Sequence, residues 1–456
     1  MRKDARNTIG KRPKSSCKPA HDKVPGLARK VAAASAAASA AATAPSRALS
    51  LRFTAIYMPP TQTFRSSLPG WLILMGALTA IGPFAIDMYL PAFPTIAANL
   101  GVARGDVERT LAAYLIGLAM AQVFYGPMAD RYGRKPPLLV GLTLFMIASL
   151  GCALSGSVEA LTGWRVVQAM GGAAGIVIPR AVIRDHYETH EAARAMSLLM
   201  LIMGLAPILA PLIGGQLLAI TTWRSLFWVM LAGGAMLMAA VILIMKESLT
   251  PDRVVPLRWS TILHNYRGLF AHRGFMSHSL AGGFGQAGMF AYIIGSPRVF
   301  IELYGVPPQY YGLLFGANAL SLIICSQISA RLLRTHTPRQ LQRRALVTLA
   351  CASLAAVALT LAGLLTLPLL MLCLICYMGS QGFVNPNSAA LALSDQGKRL
   401  GAASALLGTL QLSCGALAGF AVSAWQSDTA LPLTTTLAAC ACLSWTAGRV
   451  ARSHTA

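Results

Sequence analysis

One carboxylic acid lies inside a long apolar stretch near the start of the sequence. Asp87 is the only charged residue between Trp71 and Leu100, within the segment TAIGPFAIDMYLPAFPTI. Transfer of a charge from water to hydrocarbon is costly, so a membrane segment keeps an acid only where the acid has a use. A carboxyl that is exposed to water and then enclosed can bind a proton on one side of a membrane and release it on the other. Asp87 is therefore the first candidate for chemistry.

The composition predicts a membrane protein. The chain has 456 residues, of which 55% are hydrophobic and only 12% are charged, and its mean hydropathy is +0.58. Soluble domains contain about 25% charged residues. A net charge of +23 would suggest nucleic acid in a soluble chain. Here we attribute it to membrane orientation and to a basic tail, and we expect no nucleic-acid partner.

Twelve apolar runs follow Trp71, and each is a candidate transmembrane helix. They cover roughly 71–92, 108–128, 137–155, 162–180, 195–219, 225–245, 277–297, 310–330, 345–366, 368–388, 402–424 and 431–448. Only one connection is long, and it divides the runs six and six. We predict an all-α polytopic membrane protein with twelve transmembrane helices in two six-helix bundles. The predicted parts are bundles at 68–245 and 277–448, a central cytoplasmic loop at 246–276 and a cytoplasmic C-terminus at 449–456.

Basic residues are distributed unequally between the two sets of connections. The loops after the even-numbered runs, with the C-terminus, hold about 20 Lys or Arg, whereas the other loops hold Arg104, Arg224 and Arg298. Cytoplasmic loops are enriched in Lys and Arg, so both termini are predicted to be cytoplasmic. Two halves of six spans are typical of transporters with internal repeats. The count alone also fits a channel or an integral-membrane enzyme.

Residues 1–67 differ from the rest of the chain. They hold thirteen Lys or Arg and two Asp, with the low-complexity tract VAAASAAASAAATA at 31–44. This composition resembles a transit peptide. It also fits a disordered cytoplasmic tail, or a mis-annotated extension upstream of a true start at Met58.

The loop between the second and third runs carries a specific motif. GPMADRYGRK, residues 126–135, matches G-x-x-x-D-R-x-G-R-[KR] at every fixed position and resembles the signature loop of the major facilitator superfamily. Gly126 is expected to permit a close helix approach and Gly133 a tight turn. Retention of positive charge on the cytoplasmic side explains the arginines one by one, but not the acid or the glycines. The resemblance implies a latch that closes the cytoplasmic side, formed by Gly126, Asp130, Arg131, Gly133 and Arg134.

Two further motifs lie in the fourth and fifth runs. In GWRVVQAMGGAAG (163–175), Arg165 and Gln168 share a helical face, and the pattern resembles one that proton-coupled transporters use for charge handling. Alternatively, Arg165 extends to the membrane interface. GLAPILAPLIGG (204–215) resembles an antiporter motif, although a tightly packed structural helix would also fit. The residues concerned are Gly204, Pro207, Pro211, Gly214 and Gly215.

Five segments together give a closer resemblance. AIDMYLPAFP, GPMADRYGRKP, APILAPLIGGQLL, FIELYGVPPQYYGLLFG and GAASALLGTLQ are similar to the Bcr/CflA family of drug:proton antiporters, which confer bicyclomycin and chloramphenicol resistance. The resemblance spans roughly residues 69–450. It implies a monomeric multidrug efflux transporter of the bacterial inner membrane, driven by the proton gradient and exporting small amphipathic compounds. A proton-coupled carrier for a metabolite such as a sugar, an organic acid or an amino-acid derivative is the main alternative.

The proton-coupling site is predicted at Asp87 and Arg165. Asp87 is the only acid well inside a run, since Asp106 and Glu108 flank the start of the second helix. At 1.5 Å per residue, Asp87 lies about 24 Å along its helix, at a depth similar to that of Arg165, so we expect the two to pair. Prolines on both sides of Asp87 are expected to kink the helix and free backbone carbonyls. An acid satisfied by polar neighbours, with no transport role, is the competing interpretation.

Aromatic, methionine and amide side chains are expected to line the substrate cavity, because they accept many shapes and stack against cations. The candidates are Tyr89, Tyr114, Gln122, Gln168, Met170, Tyr292, Asn318, Tyr377 and Asn385. We expect no metal and no cofactor, because the histidines lack metal spacing and the C-x-x-C pair of Cys373 and Cys376 lies inside an apolar run, where buried thiols act as small apolar side chains. No nucleophile–base pair or phosphate loop is evident, so an enzyme is not predicted. A sensor or scaffold is disfavoured, because neither needs the loop motif or a membrane acid.

Overall fold

The computed structural model describes residues 70–187, 189–249, 266–394, 396, 400–425 and 427–450. The predicted tail at 1–67 lies outside the described residues, as do positions 250–265 of the predicted central loop and 451–456 of the predicted C-terminus.

All regular secondary structure in the described part of the chain is helical, and twelve helices there have 18 residues or more. They are α1 (Gly70–Asp87), α2 (Arg104–Tyr132), α3 (Lys135–Leu154), α4 (Val158–His186), α5 (Thr189–Ile220), α6 (Arg224–Ile244), α7 (Arg273–Pro297), α8 (Pro308–Leu332), α9 (Pro338–Leu361), α10 (Leu367–Leu393), α11 (Leu400–Ala424) and α12 (Leu431–Val450). A 3₁₀ turn at Leu90–Ala92 and a short helix at Phe93–Leu100 follow α1, and a π-helical turn at Arg298–Leu303 follows α7.

These helices form a multi-pass membrane protein. Among the described residues, ten helical segments are long and apolar enough to cross a membrane, with α1 and the short helix after it counted as one. The all-α membrane fold predicted from the sequence is confirmed. The predicted runs 345–366 and 368–388 are separate helices, since α9 ends at Leu361 and α10 begins at Leu367. Gly363 turns the chain there with a φ of 68°.

The first membrane segment is broken at its acidic residue. α1 ends at Asp87, and Met88 and Tyr89 lead into the 3₁₀ turn before a helix resumes at Phe93. Pro91 lies in the 3₁₀ turn, where its missing N–H removes a possible helical hydrogen bond. The last four carbonyls of a helix lack regular intrahelical partners. The break therefore leaves polar backbone groups beside Asp87, as predicted from the prolines.

Close backbone contacts join α5 to the break in α1 and to α8. A Cβ atom at Gly214 would overlap the carbonyl oxygen of Met88, and one at Gly215 would lie 2.5 Å from the carbonyl oxygen of Pro308. From the opposite side, a Cβ at Gly312 would lie 2.7 Å from the backbone nitrogen of Leu212. Only glycine permits these approaches, so α5 links the break at Asp87 to the second group of helices.

We predict that Gly214→Ala destabilises the protein, because the added methyl group meets a fixed carbonyl rather than a flexible side chain. Overpacking of this kind costs about 1–3 kcal/mol, so the thermal unfolding midpoint in detergent should fall. The matched control is Gly233→Ala in α6, where no atom lies within 4 Å of the added carbon. Equal midpoints for the two variants would contradict the packing described for α5.

Candidate functional site

Arg165 is completely buried in α4 and lies against the break in α1. Its Nη1 donates hydrogen bonds to the carbonyl oxygen of Ala85 at 3.0 Å and to Oε1 of Gln168 at 2.6 Å. Its guanidinium carbon lies 4.5 Å from the ring centroid of Tyr89 and 4.4 Å from that of Tyr114. These contacts hold the charge by cation–π attraction and by a carbonyl freed at the helix end. The alternative that Arg165 extends to the membrane interface is wrong.

Further hydrogen bonds fix the groups around Arg165. Gln168 Nε2 donates to Ser149 Oγ at 2.8 Å, and the hydroxyls of Tyr89 and Thr110 lie 3.0 Å apart. Tyr89, Tyr114 and Gln168 thus come together around Arg165, from the break after α1, from α2 and from α4, and their predicted role in lining a substrate cavity stays a prediction. We call Arg165, Tyr89, Tyr114 and Gln168 the arginine cluster.

Asp87 is buried, with 3% of its surface exposed, and it does not form the predicted ion pair. No Lys or Arg nitrogen among the described residues lies within 4.0 Å of its carboxyl oxygens. The physical reason is that Arg165 is held elsewhere. Its Nη1 donates hydrogen bonds to the carbonyl oxygen of Ala85, two residues before Asp87 in α1, and to Gln168 within α4. Three buried donor groups in the arginine cluster have no hydrogen-bond partner: Arg165 Nε, Arg165 Nη2 and Tyr114 Oη.

Two tyrosines of the later helices lie close enough to Asp87 to interact with it electrostatically. They are Tyr292 in α7 and Tyr311 in α8. Asn318 Nδ2 donates to Tyr292 Oη at 3.1 Å, and Tyr311 Oη lies 2.7 Å from Ser296 Oγ. Asp87 therefore faces side chains from both halves of the chain. Tyr311 was not predicted, because nothing in its sequence position distinguishes it from the adjacent Tyr310.

A second polar group, which we call the amide cluster, connects α7, α10 and α11. Asn385 Nδ2 donates to Gln286 Oε1 at 2.7 Å, and Gln411 Nε2 donates to Asn385 Oδ1 at 3.0 Å. Gln122 of α2 packs against Gly408 of α11, where an added Cβ would lie 3.0 Å from its Oε1. Asn385 and Gln122 were predicted cavity residues, whereas Gln286 and Gln411 were missed because an isolated glutamine in an apolar run carries no specific pattern.

Two of the predicted cavity residues, Tyr377 and Met170, belong neither to these clusters nor to the Tyr292–Asn318 pair. Tyr377 is fully buried and donates a hydrogen bond to the carbonyl oxygen of Gly285 at 3.2 Å, so it packs α10 against α7. Met170 is 38% exposed on α4 and takes no part in the contacts described above.

The loop motif forms an ionic cluster at one end of the molecule. Arg134 is 6% exposed, and it pairs with Asp130 at 2.5 Å and with Asp185 at 2.8 Å. Asp185, near the end of α4, was not recognised from the sequence. Because Arg134 is enclosed between two carboxylates, this part of the predicted latch is an ion-pair network.

Glu247 caps the same loop from beyond α6. Its carboxylate accepts hydrogen bonds from the backbone nitrogens of Arg134 at 2.8 Å and Lys135 at 3.0 Å. Partial burial opposes ionisation, but these N–H groups and those of Leu249 and Ser248 outweigh it and lower the pKa of Glu247. Gly133 is required here, because its φ is 91° and a Cβ would lie 2.6 Å from Glu247 Oε2.

The remaining residues of the predicted latch are Gly126 and Arg131. Gly126 has no atom within 4 Å of an added Cβ, so the close helix approach predicted for it is absent from this conformation. Arg131 is exposed. The contacts found for Asp130 and Arg134 involve only residues up to Glu247, in the first half of the chain. Residues 397–399, just before α11, lie outside the described residues, so a latch to the second bundle stays a prediction.

The fold and these buried polar groups define a polytopic helical membrane protein with charge enclosed between two sets of helices, as expected of a carrier. A family model described as Major Facilitator Superfamily matches residues 74–419. The chain therefore belongs to the Major Facilitator Superfamily, a family of transporters rather than of enzymes.

Similar proteins and structures agree with this membership. An uncharacterized MFS-type transporter, YdgK of Bacillus subtilis, is 38% identical over 79% of this chain and 90% of its own length. A bicyclomycin resistance protein homolog of Haemophilus influenzae is 31% identical, covering 82% and 94%. Multidrug resistance protein MdtL of Klebsiella pneumoniae is 32% identical, covering 76% and 86%. These relatives confirm the resemblance to drug antiporters that was drawn from the motifs.

A crystal structure shares the fold. A bacterial homolog of the human lysosomal transporter Spinster, in an inward-facing and occupied conformation, superposes with a TM-score of 0.65. The match covers 84% of this chain and 95% of the other, at 16% sequence identity. Identity at this level supports the shared fold alone.

We predict that Asp185→Asn strongly destabilises the protein, because it leaves Arg134 buried with one carboxylate instead of two. Removing one partner of a buried pair costs 3–5 kcal/mol, and we expect about 3 because Asp130 remains. The control is Asp106→Asn, whose partner Arg109 is 44% exposed and whose pair contributes about 0–1 kcal/mol. Thermal unfolding of both variants measures the difference, and equal midpoints would refute a structural role for the ionic cluster.

Proposed function

We propose that this protein exports small amphipathic, drug-like compounds across the bacterial inner membrane in exchange for protons, by alternating access. The bicyclomycin- and multidrug-resistance names of its relatives support export. The observation that carries the proton coupling is the enclosed Asp87, which has no ion-pair partner in the described residues and lies two residues after Ala85, whose carbonyl oxygen accepts a hydrogen bond from the buried Arg165.

Proton exchange at Asp87 follows from this geometry. While the carboxyl carries a proton it is neutral and needs no counter-ion, which suits its present enclosure. When the proton leaves, the carboxylate attracts the unpartnered donors of Arg165 and Tyr114. Because no nitrogen of Arg165 lies within 4.0 Å of the carboxyl at present, the guanidinium has to move towards it, and the hydrogen bond from Nη1 to the Ala85 carbonyl is disturbed by that movement. Proton loss therefore changes the contacts at the break in α1.

The glycine contacts of α5 supply a route from this break to the rest of the molecule. Gly214 packs on Met88, the residue after Asp87, while Gly215 packs on Pro308 of α8. A shift at the break must displace α5 against α8, because neither contact has space for adjustment. Through these contacts, we expect the predicted antiporter motif to couple proton binding to movement of one bundle against the other.

Two groups of side chains with different chemistry are our candidates for contact with a substrate: Tyr292 and Asn318, which are enclosed in this conformation, and the partly buried amide cluster. Tyr292 and Asn318 combine an aromatic face with an amide, and the amide cluster offers neutral hydrogen-bonding groups. Together they suit a compound with an apolar body and several polar atoms. The amide cluster also favours the second candidate function, a proton-coupled carrier for a polar metabolite.

The distribution of basic residues in the loops predicts the orientation of the protein in the membrane. The Arg134 end of the molecule, which contains Arg134 and Glu247, carries most of the loop arginines, so we place it in the cytoplasm. The opposite end, which we call the Glu302 end, contains Arg104 and Glu302 and then faces outward.

A flux experiment tests the proposal. Purified protein in lipid vesicles with a pH gradient should move bicyclomycin against its own gradient as protons move the other way, followed by an internal pH dye and radiolabelled compound. Asp87→Asn should abolish the coupled proton flux. Asp106→Asn, an exposed acid on α2, is the control and should transport normally.

Two results would overturn parts of this account. Uphill transport that persists in Asp87→Asn would remove the assignment of the proton to Asp87. Protons and compound moving in the same direction would replace export with the metabolite-carrier alternative.

A further inference from the structure

Glu108 is a second buried acid, in a place where the sequence suggested only a helix end. It lies one turn into α2 and is 2% exposed, and its Oε2 has no hydrogen-bond partner. Glu108 lies near the start of the second helix, as predicted, but its burial was not predicted. The reason is that α2 begins at Arg104, and the π-helical turn after α7 and the end of α11 pack over its first turns.

The groups around Glu108 come from both halves of the chain. Its carboxyl lies near the Ser423 hydroxyl in α11, which donates a hydrogen bond to the carbonyl oxygen of Gly419, and it interacts electrostatically with Arg298 and Glu302 of the π-helical turn. Arg109 is the other charged group acting on it from α2. Despite these neighbours, Glu108 makes no ion pair within 4.0 Å among the described residues.

An ion pair closes the same end of the molecule. Arg104 at the start of α2 pairs with Glu302 at 2.8 Å, which joins the first half of the chain to the second. Arg104 and Arg298 also line a surface cleft with Ser427 and Asp428. Solvent therefore reaches the arginines beside Glu108, while the Glu108 carboxyl itself is enclosed.

From this arrangement we propose that Glu108 is a second proton-binding residue, and that its protonation permits the Glu302 end to close. An enclosed carboxyl without an ion-pair partner is tolerated when neutral. When ionised, it is stabilised by contact with water, which requires α2 to separate from α11 and from the π-helical turn. Loss of the proton therefore favours the open form of this end.

The direction of the effect fits the proposed antiport, on which this inference builds. A proton that arrives from outside neutralises Glu108 and allows the Glu302 end to close, so the carrier turns inward after loading a proton. Asp87 then lies deeper along the same path between the two bundles. The two carboxyls would then have different roles. Glu108 would control closure of the Glu302 end, and Asp87 would couple proton binding to transport.

Distances across the Glu302 end test this inference without any substrate. Spin labels at Ala103→Cys and Thr429→Cys, in a background without the native cysteines, report the separation by double electron–electron resonance. Raising the pH should increase the population at long distance, by about tenfold in the open-to-closed ratio per pH unit if one proton is released. Glu108→Gln, which mimics the protonated acid, should stay closed at every pH.

Three controls separate the possible explanations. Asp106→Asn removes a nearby exposed acid and should keep the pH response. Glu108→Asp keeps a titratable group and should keep a response with a shifted midpoint, which shows that the site still folds. Asp87→Asn removes the proposed coupling acid but leaves Glu108 titratable, so the part of the pH response that Glu108→Gln abolishes should remain in it, and failure of the flux proposal and failure of this one are distinguishable. An unchanged pH response in Glu108→Gln would overturn the inference.

Discussion

The structure depends on how one buried guanidinium is kept in place. Arg165 has no exposed surface, and its charge is shared among two tyrosine rings, an amide and the Ala85 carbonyl. That carbonyl is available only because the first membrane helix ends at Asp87. The break in α1 and the burial of Arg165 therefore require each other. Two donor groups of Arg165, Nε and Nη2, are left without a hydrogen-bond partner, and the buried Asp87 lies at the end of the same helix that supplies the Ala85 carbonyl.

Close contacts with the backbone also hold other helices in place. Gly214 and Gly215 attach α5 to the break on one side and to α8 on the other, so the helix that carries the antiporter motif has little freedom to move alone. At the Arg134 end, Arg134 joins α4 to the α2–α3 loop, and Glu247 fixes the loop backbone. The two ends thus differ, because the Glu302 end is joined across the bundles by an ion pair.

Much of this could be predicted from the sequence, for identifiable reasons. Apolar runs of membrane length specify helices regardless of tertiary detail, and the prolines around Asp87 correctly indicated a break. Motifs with fixed spacing located Arg134 and Arg165. Some contacts could not be predicted from the sequence, because the residue types that make them occur often in loops and helices. Examples are the contacts of Asp185, Glu247, Gln286 and Tyr311. The predicted Asp87–Arg165 ion pair was wrong, because the depth of a residue in the membrane does not show which backbone carbonyls compete for the guanidinium. Glu108 was misjudged because burial by another half of the chain leaves no local pattern.

Infrared difference spectroscopy of the purified protein tests the central claim most directly, since a protonated carboxyl has a C=O stretching band that an ionised one lacks. A pH titration should show a band that disappears on deprotonation, and the band should be missing from Asp87→Asn while the Glu108→Gln spectrum retains it. Addition of bicyclomycin to the protonated wild-type protein should diminish it, as expected if compound and proton compete. If the spectra of Asp87→Asn and the wild-type protein are superimposable throughout the titration, Asp87 does not exchange the proton and the account is contradicted.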